Sequence, residues 1–427
     1  MKFLALLLCA APLALAAVIS EKVVTYDGYR VVRIATGGRV LFEKQLKSLD
    51  AVQLDPDTLA ISPGDFPKFE NMKLEYEILD KDLGASIVAE GGFSPGSASK
   101  RSVSSLDELK PGTFPSLAWF DEYHTFAEHQ QWLVDIQDGF RENSELIEIG
   151  KSYEGRPING IHLWGKGGKD SKPAVLWHST AHAREWITTM VVEYLIFGLI
   201  TGYNSKNDQV RSILDKYDFF IIPVVNPDGF VYSKTTNRLW RKNRQPHPTH
   251  SCIGIDINRN WGHKWEVITP ASWSSSNPCD EVFRGVAPDM APEVLAVTKH
   301  AKSLAANKGI KLYIDWHSFS QKILLAYGYT CDKQVPGYER SMSLAKGVAA
   351  AIEGAHQKKF TPGSSCRNLY QFSGGSTDWM QDVVSAEISW CIELRPTGWA
   401  GFLLPASQIR ASGEEQWEGM MYLLSNM

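Results

Sequence analysis

Beyond about residue 113, nearly continuous apolar runs alternate with longer stretches that have helical periodicity. The runs typical of strands are PAVLWHS, FFIIPVV, KLYIDWHS and AEISWCIE, and the helical stretches include WITTMVVEYLIFGLIT and PEVLAVTKHAKSLAAN. Strands that are apolar along their whole length need cover on both faces, and intervening helices provide it. The pattern therefore predicts an α/β domain over residues 113–427, built on a mostly parallel sheet with helices on both faces.

Three residues suited to chemistry follow or end the predicted strands. His182 comes just after PAVLWHS, His317 lies at the end of KLYIDWHS, and Glu393 ends AEISWCIE. In open α/β sheets, functional sites form beyond the carboxyl ends of the strands. We therefore expect all three side chains at that edge of the sheet.

His182 and Glu185 stand three residues apart in the stretch HARE, so they can face the same side of one turn. A catalytic zinc takes three protein ligands and keeps one open position, and the distant His317 completes such a set. A His2Glu site suits amide hydrolysis, because the metal polarises the carbonyl and acidifies water while a further carboxylate moves the proton. A His and a Glu three residues apart often occur by chance. The prediction of a metal site therefore depends on His317 and Glu393 as well.

The N-terminal part of the chain has a different organisation. Residues 1–17 carry Lys2 and then an apolar block that ends in small residues, which predicts a signal peptide and secretion. Residues 18–112 contain the β-like runs VVTYDGYRVVRI, KLEYEIL and ASIVA around the helical VLFEKQLKSL, which predicts a small antiparallel α+β unit. The linker GGFSPGSASKRSVSS carries the dibasic Lys100-Arg101. These features predict a pro-domain that an activating protease removes from a zymogen.

The net charge and the cysteine content argue against some partners and against one kind of metal site. The formal net charge is −4, with no long basic run, which argues against nucleic acid or an acidic membrane surface as a partner. Once Cys9 leaves with the signal peptide, five cysteines remain, and an odd number in a secreted chain leaves one unpaired. The chain has no CxxC pair, so a structural zinc site built on cysteine is not expected.

Seven motifs, in order, carry a resemblance to a known family: HARE, NPDGF, RLWRKNR, DINRNW, DWHSFS, LYQFSGGSTDW and IELRPTGW. The chain resembles the zinc metallocarboxypeptidases of the pancreatic carboxypeptidase A/B type, in a secreted pro-form. The resemblance covers residues 113–427, and the pro-region more loosely. It implies an eight-stranded mixed sheet, one zinc ion, and hydrolysis of the C-terminal bond of peptides and proteins. We also expect a monomer.

The resemblance implies a role for each matching residue. His182, Glu185 and His317 match the zinc ligands, Glu393 matches the general base and acid, and Arg241 matches the cation that stabilises the oxyanion.

The same resemblance implies a set of substrate-binding positions. Asn258 and Arg259 match the pair that grips the terminal carboxylate, Tyr370 matches a mobile tyrosine that closes over the substrate, and Asp256 is expected to hold the distal nitrogen of His182. The full substrate-binding set is Arg184, Asn258, Arg259, Ser318, Phe319, Tyr370 and Thr377.

Specificity and disulfides also follow from the resemblance. Thr377 stands where the B-type enzymes carry an acidic residue, so apolar or aromatic C-terminal residues are expected, as in the A type. The other positions that match the pocket wall are uncharged: Leu324, Gly328, Ser365, Leu369, Phe372 and Cys391. Of these, the large Phe372 is expected to shorten the pocket. The implied disulfides are Cys252–Cys279 and Cys331–Cys366, which leaves Cys391 as the free thiol.

Two other classes of function stay open at this point. The domain could be an inactive binding module, although a module would be expected to lose at least one of the ligands, Glu393 or Arg241. It could instead be a zinc amidase that acts on an N-acyl amino acid. The arginines of RLWRKNR could also be a solvated basic face, and Asn258-Arg259 could be a helix cap.

Overall fold

The computed structural model describes residues 22–35, 46, 48–91, 93, 114–267, 269, 273–398 and 401–427. The expected signal peptide, most of the helical run VLFEKQLKSL, and the dibasic Lys100-Arg101 lie outside these residues. The described part of the chain contains two sheets, one of four strands and one of eight. The four-stranded sheet belongs to the N-terminal unit, and the eight-stranded sheet belongs to the region from residue 114 onward.

The N-terminal unit is an antiparallel sheet with helices, as the sequence predicts. Its strands are β1 (Arg30–Ile34), β2 (Ala51–Asp55), β3 (Thr58–Ile61) and β4 (Tyr76–Asp80), in the order β2-β3-β1-β4, and its helices are α1 (Phe66–Glu70) and α2 (Leu83–Glu90). The prediction of a strand at ASIVA was wrong, because these residues form part of α2. Asp82 caps this helix by accepting a hydrogen bond from the backbone of Ala85, and the local cap prevails over the β-branched run.

The large sheet has eight strands in the order β11-β10-β12-β9-β7-β8-β6-β5. They are β5 (Ser144–Lys151), β6 (Pro157–Leu163), β7 (Ala174–Ser179), β8 (Asp218–Ile222), β9 (Ile310–Ser318), β10 (Lys322–Leu325), β11 (Thr361–Ser364) and β12 (Ile388–Leu394). The four central strands β12, β9, β7 and β8 are mutually parallel, and antiparallel pairs occur toward both edges. The predicted mixed eight-stranded sheet is therefore confirmed.

Helices cover both faces of this sheet. They are α3 (Phe126–Asp138), α4 (Trp186–Asn204), α5 (Asp208–Lys216), α6 (Pro227–Thr235), α7 (Pro292–Asn307), α8 (Tyr338–His356), α9 (Ser365–Asn368), α10 (Ser376–Asp382) and α11 (Ile409–Asn426). One apolar core includes α3, α4, α5, α8 and α11, and a second core on the opposite face includes α7 and α10. Helix α4 is apolar and long enough to cross a membrane by composition, but it is mostly buried within the first core.

The sheet order brings the candidate residues together. Strands β12, β9 and β7 are parallel neighbours, so their carboxyl ends meet at one edge. Glu393 pairs directly with His317 across β12 and β9, and the loop that carries His182 leaves the end of β7.

Candidate metal centre and active site

Two imidazoles and one carboxylate converge at this edge. The backbone of Glu185 donates to the carbonyl of His182, which closes a turn just before α4. Nδ1 of His182 lies 2.8 Å from Oε1 of Glu185, and Nδ1 of His317 lies 3.0 Å from Oε2 of the same carboxylate. The three possible ligand atoms all lie within 4.8 Å of one another, and all three residues are buried.

A carboxylate lies close to the far side of each ring. Nε2 of His182 lies 3.1 Å from Oδ1 of Asp256, which confirms the contact expected from the sequence. Nε2 of His317 lies 3.0 Å from Oδ1 of Asp315. A carboxylate at Nε2 favours the tautomer whose Nδ1 lone pair points to the centre. Two such nitrogens with one carboxylate are a donor set that fits a catalytic zinc ion.

Arg241 is fixed beside this centre by Asp256. Its Nε and Nη2 both donate to Oδ2 of Asp256, at 3.0 and 2.9 Å, and its carbonyl accepts from the backbone of Ala183. Burial alone would raise the pKa of Asp256, but Arg241 and His182 hold it well below its ordinary range. The arginine is therefore a permanent, buried cation close to the ligand cluster. The other arginines of RLWRKNR, Arg238 and Arg244, are buried as well, so this segment is not a solvated basic face.

Glu393 lies on the same edge and is almost completely buried. Burial raises the pKa of Glu393 to about 8, and His317 opposes the shift while Glu185 adds to it. A divalent cation at the cluster would favour the ionised form and lower this pKa. Lys322 pairs directly with Glu393 on the other side, across β10 and β12.

Asn258 and Arg259 belong to a short 3-10 helix, Ile257–Arg259, that Asp256 caps by accepting from the backbone of Asn258. Nε of Arg259 donates to the carbonyl of Trp273, and Nη1 donates to the carbonyl of Asn258. The guanidinium of Arg259 lies over the ring of Phe372, 4.5 Å from its centre. The alternative that Asn258-Arg259 form a helix cap with a solvated arginine is therefore wrong, because Asp256 is the cap, both residues lie inside the helix, and Arg259 is buried.

Tyr370 and Thr377, both expected to bind substrate, lie in partly or fully buried surroundings. The ring of Tyr370 lies 5.9 Å from the guanidinium of Arg259, and Thr377 is buried in the first turn of α10. The neighbouring Asp378 accepts from the backbone of Gly328 and Tyr329, at 3.0 and 3.1 Å. Burial raises the pKa of Asp378 to about 7, so this acid is not a ready counter-ion for a cationic side chain.

Three further residues, Ser318, Phe319 and Arg184, were expected to line the substrate groove. The backbone of Ser318 donates to Oε2 of Glu185, and the ring of Phe319 packs edge-on against Phe402 at 5.0 Å. Arg184 is buried, with its Nη2 donating to the carbonyl of Leu54 in the N-terminal unit. In this structure the N-terminal unit therefore engages the arginine that the sequence assigns to the groove.

Both disulfides expected from the resemblance are confirmed. Cys252 is bonded to Cys279, and Cys331 is bonded to Cys366. Cys391 is the free cysteine of the described chain and is buried, with its sulfur 4.0 Å from Oε1 of Glu393.

Sequence reasoning missed two residues close to the centre, Asp315 and His178. The contact of Asp315 with His317 could have been predicted, because side chains two apart on a strand share a face. The position of His178 depends on the pairing of β7 with β9, which opposes it to Asp315. Nothing in the sequence gives that register.

Comparisons with known proteins agree with this fold and identify the family. The family model described as "Zinc carboxypeptidase" matches residues 129–419. The chain therefore belongs to the zinc carboxypeptidase family and is a metallocarboxypeptidase, a peptide hydrolase that uses a single catalytic zinc.

The chain is also similar to individual carboxypeptidases over most of its length. The chain is 41% identical to Metallocarboxypeptidase A of Arthroderma otae over 413 residues, or 93% of each chain. It is 40% identical to Metallocarboxypeptidase A of Trichophyton rubrum over 99% of this chain and 98% of that one. Among solved structures, carboxypeptidase A from Helicoverpa armigera matches with a TM-score of 0.77 at 26% identity, covering 93% and 97% of the two chains. Thrombin activatable fibrinolysis inhibitor matches with a TM-score of 0.80 at 27% identity, covering 94% and 98%.

Proposed function

We propose that the chain is a secreted zymogen of an A-type carboxypeptidase, with zinc held by His182, Glu185 and His317. One observation carries the ligand assignment. The two Nδ1 atoms and the carboxylate of Glu185 converge within 4.8 Å, while carboxylate oxygens lie 3.0–3.1 Å from the opposite ring nitrogens. When bound, zinc polarises the scissile carbonyl and makes a water molecule more acidic.

Two protein residues have separate roles in the reaction: Glu393 transfers a proton, and Arg241 stabilises negative charge. Glu393 accepts a proton from the attacking water and returns it to the leaving amine, which a single carboxylate can do in sequence. Arg241 stabilises the negative charge that develops on the carbonyl oxygen. Its buried, doubly bonded position on Asp256 supports this role, since a fixed cation in a site shielded from water needs no reorganisation during the reaction.

Recognition of the substrate's C-terminus is assigned to Arg259 and Asn258, with Tyr370 closing the site. A guanidinium binds a carboxylate with two parallel hydrogen bonds, and the amide nitrogen of Asn258 adds a donor. Oδ1 of that amide accepts from the backbone of Ser376, which turns the amide nitrogen toward the ligand cluster, where it lies 3.0 Å from His317. Ser318, Phe319 and, once it is released from Leu54, Arg184 line the rest of the groove.

The pocket is proposed to prefer apolar or aromatic C-terminal residues. Thr377 carries no charge at the pocket floor, and the carboxylate of Asp378 is already used by two backbone donors. A lysine would lose hydration and gain no counter-ion, whereas an apolar side chain would gain roughly 1.5–3 kcal/mol from burial. The ring of Phe372 packs where a side chain at Gly328 would stand, which supports a shorter pocket that favours Leu or Met over Trp.

The domain organisation is proposed to be a signal peptide at residues 1–17, a pro-domain with its linker at 18–112, and a catalytic domain at 113–427. Latency is supported by a buried interface. Both oxygens of Glu90 accept hydrogen bonds from Arg238 at 2.6 Å, and neither side chain is exposed. Arg238 also donates to the carbonyl of Arg184, which is next to the proposed ligand Glu185.

The β2–β3 turn of the pro-domain reaches further toward the site. Burial raises the pKa of Asp55 to about 6, with Asp57 adding to the shift and Lys322, Arg184 and Arg241 opposing it. A carboxylate close to these cations would compete with a substrate for the groove. We therefore propose that cleavage near the dibasic Lys100-Arg101 or near residue 112 by an activating protease releases a monomeric, extracellular enzyme.

Metal analysis of the processed protein tests the proposal. We expect about one equivalent of zinc and loss of peptidase activity on exhaustive chelation, with recovery when zinc is restored. His317→Ala should lose both zinc and activity, while the surface variant His356→Ala serves as a matched control. Full activity after chelation, or in His317→Ala, would refute the ligand assignment.

A further inference from the structure

One face of β9 carries a row of polar side chains behind the ligand cluster. Tyr313, Asp315 and His317 are two residues apart, so their side chains point to the same face of the sheet. The parallel pairing of β7 with β9 places His178 directly opposite Asp315. All four residues are at most 2% exposed.

The carboxylate of Asp315 lies between two imidazoles. Its Oδ1 is 3.0 Å from Nε2 of His317 and 3.3 Å from Nδ1 of His178, while Oδ2 accepts from the hydroxyl of Ser376. Within the described chain, neither Oδ1 of Asp315 nor Nδ1 of His178 makes a hydrogen bond of good geometry, so Asp315 acts on the two rings through its charge. Nε2 of His178 in turn lies 2.6 Å from the hydroxyl of Tyr313.

Asn258 also approaches Nε2 of His317, at 3.0 Å, through its amide nitrogen. Its amide oxygen accepts from the backbone of Ser376, so the orientation of the amide is fixed. An amide nitrogen is a donor and cannot accept the Nε2 proton that a ligand bound through Nδ1 must carry. Asp315 places a negative charge 3.0 Å from Nε2, and this charge favours a proton on that nitrogen.

We propose that Asp315 is a positioning residue for His317, backed by His178 and Tyr313. Its charge favours the proton on Nε2 and leaves Nδ1 free as a ligand, whereas Asp256 does the same for His182 through a hydrogen bond. The inference rests on the proposed role of His317 in the zinc site. The contact between the Tyr313 hydroxyl and Nε2 of His178 fixes that ring beside Asp315, with Nδ1 of His178 3.3 Å from the carboxylate.

Zinc affinity of the processed enzyme tests this inference without reference to catalysis. Competition with a chromogenic chelator should show that Asp315→Asn binds zinc about 10–100-fold more weakly than the wild type. Asp332→Asn, an exposed change, is the matched control and should bind like the wild type. The visible absorption spectrum of the cobalt-substituted protein should also change in Asp315→Asn. Equal zinc affinity in Asp315→Asn and wild type would overturn the inference.

A second variant keeps the test decisive if Asp315→Asn does not fold. Tyr313→Phe retains the ring and the carboxylate but removes the hydroxyl that orients His178, so we expect a smaller but measurable loss of zinc affinity. Unchanged affinity in this variant would overturn the role of the backing pair. A wild-type protein that binds no zinc, or His317→Ala with full affinity, would instead refute the proposed function itself.

Discussion

Glu393 and His317 occupy directly paired positions on the neighbouring parallel strands β12 and β9. The sheet therefore fixes the distance between the proposed base and a proposed ligand through backbone hydrogen bonds rather than through a loop. A site built on strands holds its geometry better than one built on loops. This pairing explains how a proton acceptor can stand beside the metal centre without joining the ligand set.

Replacement of the proposed base should separate metal binding from turnover. We expect Glu393→Gln to retain zinc and to lose about 10²–10⁴-fold in kcat, because it removes proton transfer but no ligand. The surface change Glu387→Gln is the control. Zinc content and kcat are measured on the processed proteins. If Glu393→Gln keeps most of the wild-type kcat, the base has been assigned wrongly.

The uncharged pocket floor predicts the order of preferred substrates. On peptides that differ only in the last residue, kcat/KM should be about 100-fold or more higher for Phe and Leu than for Lys and Arg, since a buried lysine lacks a partner. Thr377→Asp should move the preference toward Arg, and the exposed Thr361→Asp should not. Cleavage of Lys or Arg as fast as Leu by the wild type would show that the pocket is misread.

The buried Glu90–Arg238 pair should control latency. Removal of one partner of a buried ion pair costs about 3–5 kcal/mol, so Glu90→Gln should weaken pro-domain docking and raise the activity of the uncleaved proprotein on a small substrate. Glu75→Gln, an exposed change in the same unit, is the control. If uncleaved Glu90→Gln is as inactive as the uncleaved wild type, the ion pair is not needed for latency. A wild-type proprotein as active as the processed enzyme would instead exclude an inhibitory pro-domain.

Glu293 should contribute a pH dependence to stability that is independent of the metal. It is fully buried at the start of α7 and accepts hydrogen bonds from Asn243 and the backbone of Tyr153. Burial raises the pKa of Glu293 to about 7, so the folded state favours the protonated form. This contribution is fully present below the ordinary pKa of 4.5 and is lost as the pH rises through about 7.

Urea unfolding at pH 5 and pH 8 measures that contribution. In the wild type, Glu293 should lower the free energy of unfolding by roughly 2–3 kcal/mol over this interval. In Glu293→Gln that part of the decrease should disappear, while the exposed Glu148→Gln should behave like the wild type. An identical pH dependence in Glu293→Gln and wild type would contradict the assignment.

The features that the sequence predicts correctly depend on local apolar patterns and on where the strands end. The apolar strands, the apolar helix α4, and the positions of His182, His317 and Glu393 at one edge all follow from periodicity and sheet topology. The run ASIVA was mispredicted because a cap at Asp82 outweighs β propensity. Contacts that depend on register or on docking, such as His178 with Asp315 or Glu90 with Arg238, join residues far apart in sequence, and no local pattern reveals them.

The most direct test of the central claim compares a peptide that has a free C-terminal carboxylate with the same peptide as its C-terminal amide. The peptide ends in Leu, and the processed enzyme's products are followed by mass spectrometry. We predict stepwise loss of the last residue from the free peptide, little hydrolysis of the amide because Arg259 loses its anionic partner, and no activity after zinc removal. Cleavage at internal bonds, or equal hydrolysis of the two peptides, would contradict the account.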